Sequence, residues 1–109
     1  MNPRDESIVS ELKRRIPNDI LTHFRKIIVF GSRVKGQQLE DSDLDIVALI
    51  DQKNSVLEKK MEDIIYQVMW DYDFKPIISI KIFVEKQFQE RFKRGFSFYK
   101  HVVNEGLAI

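Results

Sequence analysis

The sequence contains no cysteine, and without the thiol there can be no disulfide scaffold, thiolate zinc site, iron–sulfur cluster or cysteine nucleophile. A bound metal must sit on oxygen or imidazole. Neither sign of charge is in excess: 18 Lys+Arg oppose 17 Asp+Glu for a formal net charge of +1, which excludes a chain that is polybasic or acidic throughout. Long apolar runs are missing too. None approaches the roughly 18 residues that cross a bilayer. The start Met1-Asn2-Pro3-Arg4-Asp5-Glu6 carries charge where a signal peptide has an apolar core. The expectation is a cytoplasmic protein without a membrane partner. The 3 prolines, at positions 3, 17 and 76, do not cluster into a linker, and there is neither an internal repeat nor a low-complexity stretch. What is present is 43% hydrophobic and 32% charged residues over 109 positions, which predicts one globular domain spanning 1–109 with one modest core.

Hydrophobic periodicity outlines the elements. From Asp5 to Ile16, the residues Ile8, Val9, Leu12 and Ile16 recur at helical spacing, with Asp5 placed to cap the helix and Pro17 to stop it. Ile27-Ile28-Val29-Phe30 is an unbroken apolar run of the kind found in strands buried on both faces. Leu44 to Ile50 predicts a second strand. Ser55 to Trp70 predicts the longest helix, with Val56, Leu57, Met61, Ile64, Ile65, Val68 and Met69 at the 3.6-residue period and Trp70 counted with the core. Ile77 to Val84, after Pro76, predicts a third strand with Ile78, Ile80 and Ile82 on one face and Ile77, Ser79, Lys81 and Phe83 on the other. Helical segments follow around Gln87–Lys93 and Phe98–Val103, and Gly106 stops the last. Helices and strands alternate, so the fold class is α/β or α+β with a small sheet.

The segment from Phe30 to Asp45 carries the chemistry. A strand ending in Gly31-Ser32 and entering a polar turn presents backbone N–H groups and a hydroxyl to a phosphate, with Arg33 and Lys35 adding positive charge. By itself, Gly-Ser after a strand also fits an ordinary turn. In Asp43-Leu44-Asp45 the two carboxylates are two residues apart at a strand start, so both side chains point to one face while Leu44 points into the core. Two hard oxygen donors on one face suit Mg²⁺, which prefers carboxylates together with substrate phosphates. A lone Asp-x-Asp also fits a pair of exposed acids.

Taken together, strand, Gly31-Ser32, ten intervening residues and Asp43-x-Asp45 opening a hydrophobic strand, the segment resembles the minimal nucleotidyltransferases of the DNA polymerase β superfamily. Arg33, Gly36 and the Ser42-Asp43 step belong to the same likeness, and the ending from Phe98 to Gly106 looks like that of small members. The resemblance implies a small mixed sheet flanked by helices. It implies Asp43 and Asp45 as catalytic metal ligands for Mg²⁺, with Gly31, Ser32 and Arg33 seating the phosphates of ATP or another nucleoside triphosphate. The reaction implied is transfer of a nucleoside monophosphate, AMP from ATP, to a hydroxyl. Small stand-alone members are often antitoxins that modify a HEPN-type ribonuclease partner, so a protein partner or a homo-oligomer is expected, and nucleic acid is not favoured. Active members usually add a third carboxylate from a later strand. The strand Ile77-Ile78-Ser79-Ile80-Lys81-Ile82 offers none, Asp71 and Asp73 lie just upstream, and Asp73 reads as a turn residue before Pro76. The alternative is a weakened module that binds nucleotide or partner and neutralises the partner by complex formation.

His23 and His101 read as surface or capping residues outside the site. Phe88, Phe92, Phe96, Phe98 and Tyr99, interleaved with Arg91, Lys93, Arg94 and Lys100, read either as a packed helix with a basic outer face or as a partner or nucleic-acid surface.

Overall fold

The computed structural model describes residues 1–36 and 41–109, so Gln37, Gln38, Leu39 and Glu40 of the motif lie outside the described residues. The first helix, α1 (Pro3–Arg15), begins earlier than the apolar spacing predicts, because Pro3 suits a first helical turn and Asn2 supplies the cap. The Asn2 Oδ1 accepts the Asp5 amide at 2.8 Å, so Asp5 lies inside the helix and is not its cap. The short α2 (Asn18–Leu21) follows Pro17; four residues are too few to leave a periodic trace in sequence.

Strands β1 (Phe24–Phe30), β2 (Leu44–Ile50), β3 (Ile78–Val84) and β4 (Leu107–Ala108) form one sheet in the order β3-β2-β1-β4. The β1–β2 and β1–β4 pairs are antiparallel and β2–β3 is parallel, giving the mixed sheet expected. A parallel pair needs a long crossover, and α3 (Ser55–Asp71) provides it, capped by Asn54 through the Leu57 amide at 3.0 Å. Helices α4 (Glu85–Lys93) and α5 (Ser97–Glu105) complete the α+β arrangement.

Strand alternation sends side chains to two cores. On one face, Ile27, Val29, Leu44, Ile46 and Ile78 pack against Ile8, Val9 and Leu12 of α1 and Leu57, Met61, Ile64, Ile65 and Val68 of α3. On the other, Ile28, Val47 and Leu49 pack against Phe88 of α4 and Val102 of α5, with Phe30, Phe83, Phe98 and Tyr99 around them. Each fully buried aliphatic or Phe side chain contributes about 1.5–3 kcal/mol by leaving water. Both faces are thus covered, and positions 27–30 of β1 and 46–50 of β2 read as unbroken apolar runs for that reason. The aromatic tail follows the packed-helix alternative except at Phe96, which is exposed: Phe88 is buried, Phe83 stacks edge-on against it at 5.5 Å, and Arg91, Lys93, Arg94 and Lys100 face solvent.

Trp70 departs from the expectation of a core position and is 60% exposed. Its helical phase lies opposite that of Val68, and it rests edge-on against Tyr66 and Phe74 on the outer side of α3. β4 is two residues long and escapes pattern reading; Gly106 lets it reach β1, since a Cβ there would stand 2.4 Å from Ile28 Cγ2 and from the Val102 carbonyl. No helix among the described residues is long and apolar enough to cross a membrane.

Candidate active site

The motif residues converge where β1 ends and β2 begins. In the antiparallel register, Phe30 pairs with Asp45, so the turn after β1 passes directly over that carboxylate. Gly31 has a φ of +89°, a conformation side chains rarely adopt, and a Cβ on it would meet Asp45 Oδ2 at 3.1 Å. Glycine is required twice over, for its backbone angle and for the close approach. The turn closes through the Val34 amide donating to the Gly31 carbonyl at 3.2 Å, and Ser32 is exposed at its tip.

Asp43 lies one residue before β2 and is exposed, whereas Asp45 is half-buried within the strand. Neither carboxylate makes a hydrogen bond or an ion pair among the described residues. Burial raises the Asp45 carboxyl above its ordinary range, the nearby Asp43 charge raises it further, and the Lys81 ammonium opposes both. Two carboxylates held together and left without a partner fit a hard divalent cation, which would relieve both the burial and the repulsion. No group of three or more acid, histidine or cysteine side chains suited to a metal exists among the described residues.

Arg33, a phosphate contact in what the resemblance implies, is held by partners within the protein. Its Nη1 donates to Asp5 Oδ1 at 3.1 Å and Oδ2 at 3.0 Å, and its Nε donates to the Ser42 carbonyl at 2.8 Å. Both side chains of the pair are buried, Asp5 completely. Arg33 therefore ties the turn to α1 and to the residue preceding Asp43, positioning the acid from behind. Sequence reading missed Asp5 in this role, yet the signal was there: Asp5 stands three residues before Ile8, on the buried stripe of α1. Lys35 pairs with Glu105 of α5 at 2.6 Å, which draws the Glu105 carboxyl below its usual range with help from His101 and fastens the far side of the turn.

Among the described residues no third acid joins the pair. Asp71 pairs with Arg15, and Asp73 lies in the exposed turn after α3 with a φ of +58°. His23 pairs with Asp51 at 2.9 Å and His101 with Glu105, both away from the acid pair. A cleft of about 270 Å³ between β1, α4 and α5 contains none of the motif residues, and one of about 650 Å³ reaches Arg33 and Asp41 but neither Asp43 nor Asp45.

No curated protein matches the chain. A family model described as a nucleotidyltransferase domain matches residues 6–103, a span that takes in the Gly-Ser turn, both carboxylates and all three long strands. With nearly its whole length matched, the chain belongs to the nucleotidyltransferase domain family.

Proposed function

We propose that the protein is a Mg²⁺-dependent nucleotidyltransferase that moves a nucleoside monophosphate, AMP from ATP, onto a hydroxyl of a partner protein. The observation that carries this reading is the close approach of the Gly31 turn to the half-buried Asp45, which sets a Gly-Ser turn beside an unpartnered acid pair. Amides of the turn and the Ser32 hydroxyl bind phosphate oxygens, and Asp43 and Asp45 hold the metal. A bound divalent cation supplies charge neutralisation on the phosphates and lowers the pKa of an attacking hydroxyl. The acceptor oxygen attacks the α-phosphorus and pyrophosphate leaves. The protein's contribution is placement and charge, since phosphoryl transfer asks for little covalent chemistry from side chains. The acid pair lines neither of these clefts, so the acceptor is enclosed by its own surface meeting this one; a HEPN-type ribonuclease in a toxin–antitoxin pair is the acceptor proposed.

The test is incubation of the protein with Mg²⁺, α-labelled ATP and the product of the adjacent gene. Label on the partner, lost in Asp43→Asn while that variant keeps its fold by circular dichroism, supports the reading; label that survives in Asp43→Asn overturns it. The donor set of two carboxylates favours a second reading, a module that binds nucleotide and covers its partner without transfer. An unlabelled partner in a stable complex selects that one.

A further inference from the structure

The sheet face that carries Asp45 also carries Lys81. The parallel β2–β3 register sets Ser79 beside Asp45 and Lys81 beside Val47, and alternation turns all four side chains to the same face. Phe30, paired with Asp45 on the other side, stacks edge-on with Phe98 at 5.7 Å, and the Lys81 Nζ lies 5.4 Å from the centre of that Phe98 ring. The aromatic ring thus holds the ammonium above the sheet by a cation–π contact. The other cations of the turn are engaged with acids, Arg33 with Asp5 and Lys35 with Glu105. Lys81 is exposed and in no ion pair among the described residues, and its charge is felt at Asp45.

We propose that Lys81 is a fixed cation of the nucleotide site, binding the substrate's polyphosphate directly beside a single divalent ion held by Asp43 and Asp45. This rests on the reading of the acid pair as a metal and nucleotide site. A triphosphate brings several negative charges to a face that already has two carboxylates, and one divalent ion leaves a surplus. An ammonium fixed on β3 offsets part of that surplus without a further metal ligand, as charge-assisted hydrogen bonds to phosphate do elsewhere. The same charge repels a metal ion, so Lys81 should strengthen polyphosphate binding and weaken metal binding.

Opposite effects on two ligands separate this role from a structural one. Mn²⁺ affinity and stoichiometry are read by electron paramagnetic resonance on the wild-type chain, Lys81→Met, Lys81→Arg and Asp43→Asn. Affinity for inorganic triphosphate is read by calorimetry at saturating Mn²⁺. Wild type is expected to bind one Mn²⁺ per chain. Lys81→Met should bind triphosphate about tenfold more weakly, as loss of a charged hydrogen bond predicts. It should bind Mn²⁺ about two- to threefold more tightly, as loss of a nearby like charge predicts. Lys81→Arg should stay close to wild type for both. Unchanged triphosphate affinity in Lys81→Met, parallel weakening of both ligands, or two Mn²⁺ per wild-type chain overturns the proposal. Failure of the wild type to bind Mn²⁺, or undiminished Mn²⁺ binding in Asp43→Asn, instead overturns the underlying reading of the acid pair.

Discussion

Asp5 and Asp45 flank the same turn, and the fold treats the two acids in opposite ways. Asp5 is completely buried, and both of its oxygens accept from the Arg33 guanidinium, whose Nε continues to the Ser42 carbonyl. Asp45 is half-buried, faces the like charge of Asp43 and lacks any such partner among the described residues. A buried charge is tolerated when paired and hydrogen-bonded, and costly otherwise. One side of the turn has its electrostatics closed inside the protein; the other stays uncompensated among the described residues. The closed pair fixes the Ser42 carbonyl and with it the approach of the chain to Asp43, so the paired side orients the unpaired one.

The largest expected effect comes from opening the closed side. Asp5→Ala strands a buried guanidinium and should cost about 3–5 kcal/mol by chemical denaturation. The double replacement Asp5→Leu with Arg33→Met should recover most of that loss while disordering the acid pair, visible as weakened Mn²⁺ binding. Full Mn²⁺ affinity in the double variant would show that the pair has no positioning role. Next comes the wall between turn and acid: Gly31→Ala places a side chain in a left-handed conformation against Asp45 Oδ2 and should cost about 1–2 kcal/mol, together with loss of triphosphate binding.

Smaller effects come from closing the open side. The Asp45 carboxyl is raised in the folded state, so the fold prefers it protonated and its ionisation lowers stability as pH rises through the folded value. Asp45→Asn should therefore be slightly more stable than wild type at neutral pH, by less than about 1 kcal/mol for a site this open to solvent. Millimolar Mn²⁺ should raise the wild-type Tm and leave that of Asp45→Asn unmoved, because only a folded state that binds the ion gains from it. The smallest change is remote from both acids. Glu11, held by Arg14 and Arg15, titrates at about 2, so its contribution is present above the ordinary carboxylate range and is lost as pH falls from 4.5 toward 2. Glu11→Gln should flatten the acid limb of the stability profile there and leave Mn²⁺ binding unchanged.

Much of this was legible in the chain because it is local. The apolar run Ile27–Phe30, the alternation of Ile78, Ile80 and Ile82, and the long periodic stretch of α3 each report a nearby surface, and the strands and helix form where they point. Trp70 was misread because a large aromatic ring was counted with the core on its size alone, whereas its helical phase already set it opposite Val68. β4 and α2 were missed because two and four residues carry no period. Its place in the motif suggests a phosphate contact for Arg33, and its pairing with a residue on α1, which no local pattern shows, gives it a hold on the turn.

The sequence by itself determined the chemistry on offer: no thiol, two carboxylates at strand spacing, a Gly-Ser turn ten residues upstream and no further acid on the third strand. Backbone period and side-chain type settle such things within a few residues. Tertiary structure decided which charges are compensated. The partner of Arg33 lies on α1, that of Lys35 on α5, and Lys81 reaches the Asp45 face only through the parallel register of β3. Electrostatic energy depends on distance through space and on access to water, and both are set by packing between elements far apart in the chain.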